Sequence, residues 1–240
     1  MIKSAINRIL ELAAPNTIEF GGQKYVDKKM ERLSSEFRAS PLELSTLSSL
    51  VEYIRNFGEP LKECAYLIHI VSPTMVDMVS ALDAERKREI LVTVRAELPK
   101  IPFEQYIENE RMLIAVQSMF VDDLNTDKSL ILKFAGTVTN GSVKEYGDDG
   151  VTQKATIKQG ISSKTEAIVP SPCTLRPYRT FLEVEQPASS FIFRMKEDRE
   201  GKITSALFEA DGGAWKNAAR RNIQEYLEMR LEGTGVTVIS

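Results

Sequence analysis

The chain has a single histidine, His69, in 240 residues. Ser-His-Asp or Cys-His catalysis would have to run through that one residue. A zinc site made from several histidines is excluded. His69 lies in the apolar run "CAYLIHIV", which predicts a strand with a buried, hydrogen-bonded histidine. Cysteine is almost as scarce. Cys64 and Cys173 are far apart and outside any CxxC pattern, which argues against structural zinc and against a disulfide framework. No apolar run reaches the ~18 residues of a membrane span. The opening "MIKSAINRILELAAPN" carries an internal Glu11 and lacks the apolar stretch and cleavage site of a signal peptide. A cytoplasmic protein is expected. An excess of positive charge is also missing. Lys and Arg number 31 against 34 Asp and Glu, a net charge of −3. Broad binding to nucleic acid or anionic lipid is therefore disfavoured.

Apolar residues make up 42% of the chain and charged residues 27%, ordinary globular usage with enough apolar surface for a real core. Helical spacing of Ile6, Ile9, Leu10 and Ala13 predicts an amphipathic helix over 3–13. "TIEFGGQKYV" reads as a hairpin turning on Gly21 and Gly22. A helix is expected over 41–57, with Pro41 in its first turn and Gly58 as its cap. A strand over 65–71 should lead into a short helix starting at Ser72-Pro73. The alternation of Ile90, Val92, Val94, Ala96 and Leu98 marks a half-buried strand. Next come a helix over 103–120 and strands over 129–138 and 151–160. A meander of "RTFLEVEQ", "SSFIFRMKE" and "KITSALFEA" precedes a long helix over 213–231, ended by Gly233. The class is α+β: a mostly antiparallel sheet, flanking helices, a long C-terminal helix and an N-terminal helix-and-hairpin arm. The division expected is an arm, 1–40, and a core domain, 41–240.

Four stretches could carry chemistry. In "ALFEADGGAWKNAARR" a strand enters a helix through Gly212 and Gly213, with Lys216 and Arg220 one turn apart. Such a helix start can hold an anion. It lacks the Walker and dinucleotide glycine patterns, and Asp211 as a cap with Trp215 as a core anchor explains the same residues. "LRPYRTFLEVEQPASSF" places Arg176, Arg179, Glu183, Glu185 and Gln186 close together. On a strand, Arg179, Phe181, Glu183 and Glu185 would share a face. Glu183 and Glu185 with Asp211 form a weak alternative metal set, and an ion-pair ladder is the expected use of the strand. "EYGDDG" reads as a hairpin turn and lacks the calcium-loop pattern. The mixed charges of "DAERKREI" suit a solvated linker.

"DDGVTQKATIKQG", "LRPYRTFLEVEQPASSFIFRM" and "LFEADGGAWKNAARRNIQEYL" together resemble the YfdQ-like family of phage- and prophage-encoded proteins. The resemblance covers roughly residues 40–231. It implies a phage or prophage origin and a bacterial host cell, and it transfers no catalytic residue. No cofactor is expected. The leading expectation is a non-enzymatic accessory protein that acts as a homo-oligomer by stoichiometric binding. It would take a host or phage protein, or sequester a nucleotide-like anion at Arg176, Arg179, Gly212, Gly213, Lys216 and Arg220. Three alternatives stand beside it: a single-strand nucleic-acid binder, a structural shell or scaffold subunit, and a metal-dependent nuclease or phosphodiesterase.

Overall fold

A computed structural model describes residues 2–27, 40–56, 65–83, 86–138, 143–148, 153–159, 163–168 and 171–240. The chain divides into two compact units, Met1–Ala39 and Ser40–Ser240. The architecture is α+β, with mostly antiparallel pairing.

The first unit holds α1 (Ile2–Ala13) and the hairpin β1 (Thr17–Phe20) and β2 (Gln23–Val26). Gly21 and Gly22 turn the hairpin at φ +62° and +77°, the left-handed pair that matches the strands' own twist. Asn16 and Asp27 close its base: the Asp27 carboxylate accepts from the Asn16 backbone N–H at 2.9 Å and side-chain amide at 3.0 Å.

In the second unit, one sheet takes the order β14-β4-β5-β6-β3. Its strands are β3 (Leu42–Leu44), β4 (Tyr66–Ser72), β5 (Met75–Ser80), β6 (Ile90–Arg95) and β14 (Thr237–Ile239). The helix expected from residue 41 starts later, as α2 (Leu47–Asn56). Thr46 explains the shift, because its hydroxyl accepts the Ser49 N–H at 3.2 Å and caps the helix there. That leaves Leu42 and Leu44 to pair with Val92 and Val94 on β6. The expected cap Gly58 lies outside the described residues. The short helix expected after Ser72-Pro73 is strand β5, since Val76 and Met78 alternate into the core beside Ile68 and Ile70.

His69 corrects another expectation. It is exposed, on the face of β4 opposite Ile68 and Ile70. Its cross-strand neighbour is the buried Asp77, whose carboxylate accepts the Thr93 hydroxyl at 2.9 Å.

A second sheet runs β11-β12-β13-β7, from β7 (Ile107–Glu108), β11 (Cys173–Leu175), β12 (Ser189–Glu197) and β13 (Ile203–Glu209). The helix expected over 103–120 is shorter, α3 (Asn109–Met119). The strand expected over 129–138 is a helix, α4 (Lys128–Thr137), with Ile131, Phe134 and Ala135 buried at helical spacing. Short apolar runs do not separate the two periods. The strand expected at 179–186 is a loop, and the pairing with β12 comes from β11 instead. A third sheet, β10-β9-β8, is antiparallel: β8 (Val143–Asp148), β9 (Gln153–Gln159) and β10 (Ser163–Ile168).

Two apolar clusters form the core. One joins α3 and α4 to the second sheet around Phe191, Phe193 and Met195. Cys173 belongs to it. Burial, with Asp127 nearby, pushes its thiol up to about 12, so it packs as an apolar side chain. The other cluster sets α2 and the long α5 (Trp215–Arg230) on the five-stranded sheet. Ile223, Leu227 and Leu231 supply α5's stripe.

Candidate functional site

The corner between β13 and α5 is made by Asp211, Gly212 and Gly213. Both glycines are left-handed, at φ +61° and +82°, a region costly to residues with a Cβ. The chain can therefore fold back and present its amides to Asp211. The Asp211 carboxylate accepts the Gly213 N–H at 3.0 Å and the Trp215 N–H at 3.3 Å. Burial alone would raise the Asp211 pKa. The Gly213 amide, the Ser189 hydroxyl, the Trp215 amide and the Arg179 charge outweigh it, and the carboxyl sits below its ordinary value. The start of α5 is thus occupied by a carboxylate of its own chain.

Arg179 sits against this corner. Its side chain is 7% exposed. One guanidinium nitrogen donates to Glu209 at 2.6 Å, and the other bonds the Ser189 hydroxyl. The guanidinium carbon lies 3.9 Å from the centroid of the Trp215 ring and 5.5 Å from that of Phe191, positions that favour a cation. Burial pulls the Arg179 pKa down, while Glu209 and Asp211 oppose that shift. Arg179 Nε and Trp215 Nε1 are buried and meet no acceptor among the described residues.

The loop that delivers Arg179 is tied by Gln186. Its side-chain oxygen accepts the Arg179 and Thr180 N–H groups at 3.1 and 3.2 Å. Its nitrogen donates to the Phe181 carbonyl at 2.9 Å. One amide here does the work of a strand ladder, which is why "RTFLEVEQ" needs no partner strand. The Thr180 hydroxyl reaches the Pro73 carbonyl at 2.5 Å and fastens the loop to the first sheet.

The remaining expected site residues are dispersed. Arg176 pairs with Asp123 at 3.2 Å and with Glu185 at 2.8 Å. Arg220 donates to the Val71 carbonyl at 3.2 Å, linking α5 to the β4–β5 hairpin. Lys216 is exposed, with its alkyl chain over Gly213. Glu183 does not share a strand face with Arg179. Its carboxylate accepts the Ser48 N–H at 3.3 Å, in the first turn of α2. Glu183, Glu185 and Asp211 therefore serve three different local bonds. Among the described residues no group of three or more His, Cys, Asp or Glu could hold a metal ion.

Residue spacing pointed to Asp211, the glycines and Trp215. It placed Gln186 near Arg179 without its role as a tie, and it missed Glu209 and Ser189, whose roles depend on pairings across the fold. It also missed a cleft of about 380 Å³ between α2 and the loop, lined by Thr46, Ser48, Ala96, Phe181, Leu182 and Glu183. No described helix is long and apolar enough to cross a membrane. Comparison with protein-family models, curated proteins and solved structures finds no match.

Proposed function

We propose that this is a non-enzymatic accessory protein of a phage or prophage, acting as an oligomer by stoichiometric binding of a host or phage protein. One observation carries the non-enzymatic part. The charged groups that catalysis or anion capture would use are engaged in bonds within the chain: Arg179 with Glu209, Arg176 with Asp123 and Glu185, Glu183 with α2, Asp211 with α5. A group already desolvated and paired loses that bond before it can engage a ligand. Phage origin and cytoplasmic expression rest on the YfdQ-like resemblance.

The same observation favours a protein partner over nucleotide sequestration. Of the expected anion-binding side chains Arg176, Arg179, Lys216 and Arg220, only Lys216 is exposed. An anion at Gly212 and Gly213 would have to displace Asp211. Arg176 and Arg179 are likewise poorly placed to track a single strand of nucleic acid.

Affinity capture of tagged protein from phage-infected cells, followed by native mass spectrometry, tests the reading. A defined protein partner at fixed stoichiometry is expected. Retained nucleotide without protein would shift the reading to sequestration. A large assembly of this chain alone would make it a scaffold subunit. Magnesium-dependent DNA cleavage abolished by Glu183→Gln would replace it with a nuclease.

A further inference from the structure

We propose that residues 2–27 are an assembly element whose apolar faces pack against the same faces of a second copy of this chain. This rests on the oligomeric reading above and names the surface that would carry it.

Ile2, Ile6 and Ile9 follow one another along α1 at steps of four and three, the spacing of a helix–helix seam. All three are exposed, at 79%, 51% and 65%, and Leu10 beside them is 63% exposed. The hairpin repeats the pattern with a period of two. Ile18 and Tyr25 are cross-strand partners, and Phe20 shares their face, while Glu19 and Lys24 pair on the other. Ile18, Phe20 and Tyr25 are 66%, 77% and 52% exposed. Each element is thus sided, and its apolar side is exposed among the described residues.

Elements this small do not hold themselves. An isolated helix of about 12 residues is marginal in water, and so is a lone hairpin. Units below about 40 residues generally need an oligomer, a metal or a disulfide. The unit Met1–Ala39 has no cysteine and no histidine, which removes disulfides and thiolate or imidazole metal sites and favours association. The exposed apolar side chains offer on the order of 800 Å² per copy, about what each partner gives to a standard interface. Two like arms also tolerate each other electrostatically. Within residues 2–27, Lys3, Arg8 and Lys24 balance Glu11, Glu19 and Asp27 in the sequence. That span therefore lacks the surplus of Lys and Arg that a lipid surface selects.

The test uses the full chain and light scattering coupled to size exclusion over a hundredfold range of concentration. Wild type should be a dimer or a higher oligomer. Ile6→Asp with Ile9→Asp, and separately Phe20→Ser with Tyr25→Ser, should at least halve its mass. Leu124→Asp, at a side chain fully exposed in the second unit, should leave the mass unchanged. Both arm variants should keep the wild-type near-ultraviolet signal of Trp215, which shows that the second unit is folded. If both keep the wild-type mass, the arm proposal falls and the oligomeric reading survives. If wild type is monomeric throughout, both fall. A wild-type monomer that floats with vesicles containing anionic lipid would make the arm a membrane element instead.

Discussion

Arg179 is a charge held in the interior, and its cost is met by three kinds of contact: the Glu209 carboxylate, the Ser189 hydroxyl and the faces of Trp215 and Phe191. Removing one partner of such a pair strands the other. Glu209 is 30% exposed and can recover some water, so the loss should lie below the range for a fully buried pair. Arg179→Met is expected to destabilise the fold by about 2 kcal/mol in urea titration. Asp211 gives a pH-dependent counterpart. Its carboxyl is depressed in the folded chain. Its contribution is therefore present above the unfolded value, near 4, and is lost as pH falls through the folded value. The stability gap between wild type and Asp211→Asn should be full at pH 6–7 and close on acidification below about pH 4. A gap that stays constant with pH would contradict this. Asp211 was legible because a cap is a local device. Glu209 and Ser189 were not, because their pairing with Arg179 is set by the fold and not by neighbouring residues.

The longest elements show their type in the sequence, although the expected helices over 41–57 and 103–120 start later, and two short apolar runs take the other type. The periodicity of α5 extends over Ala219, Ile223 and Leu227, and β12 alternates buried and half-buried residues along most of its nine. "SLILKFAGTV" is too short to separate a helix from a strand, and packing of Ile131 and Phe134 decided it as α4. "SPTMVDMVSAL" has helix-start chemistry at Ser72-Pro73, yet the pairing of β5 between β4 and β6 outweighs that local preference. The β13–α5 corner makes its own demand on the chain. At φ +82° a Cβ on residue 213 is strained even though it would meet only the Lys216 side chain, at ordinary contact distances of 3.8–3.9 Å. Gly213→Ala should cost about 1–2 kcal/mol, seen as a lower urea midpoint with an unchanged slope.

Across the second unit, α5 links the two apolar clusters. Its first residue, Trp215, stacks on Arg179 beside Phe191 of one cluster. Ile223 and Leu227 lie in the other. The Thr180–Pro73 and Arg220–Val71 bonds fasten the Arg179 loop and α5 to the five-stranded sheet. Unfolding of this unit should therefore be one transition. Trp215 is the only tryptophan, so its fluorescence reports the corner, while circular dichroism reports all elements. The two curves should coincide. Ile223→Ala should shift them equally, by about 2–4 kcal/mol. Separate midpoints would mean that the clusters fold independently. Sequence reading reached the class and the arm but not this linkage. Composition shows how much core a chain can make, and it is silent on how many pieces that core has.

Strand β14 pairs in parallel with β4 and covers that edge of the five-stranded sheet, Thr237 lying against Leu67. During synthesis the two strands emerge far apart in time. At ordinary elongation rates β4 waits on the order of 10 s for the segment that will cover it. For that interval its row of unpaired amides can template another strand. A nascent chain has this hazard only before Thr237–Ile239 emerge, so a chain that stops before Thr237 would keep it permanently.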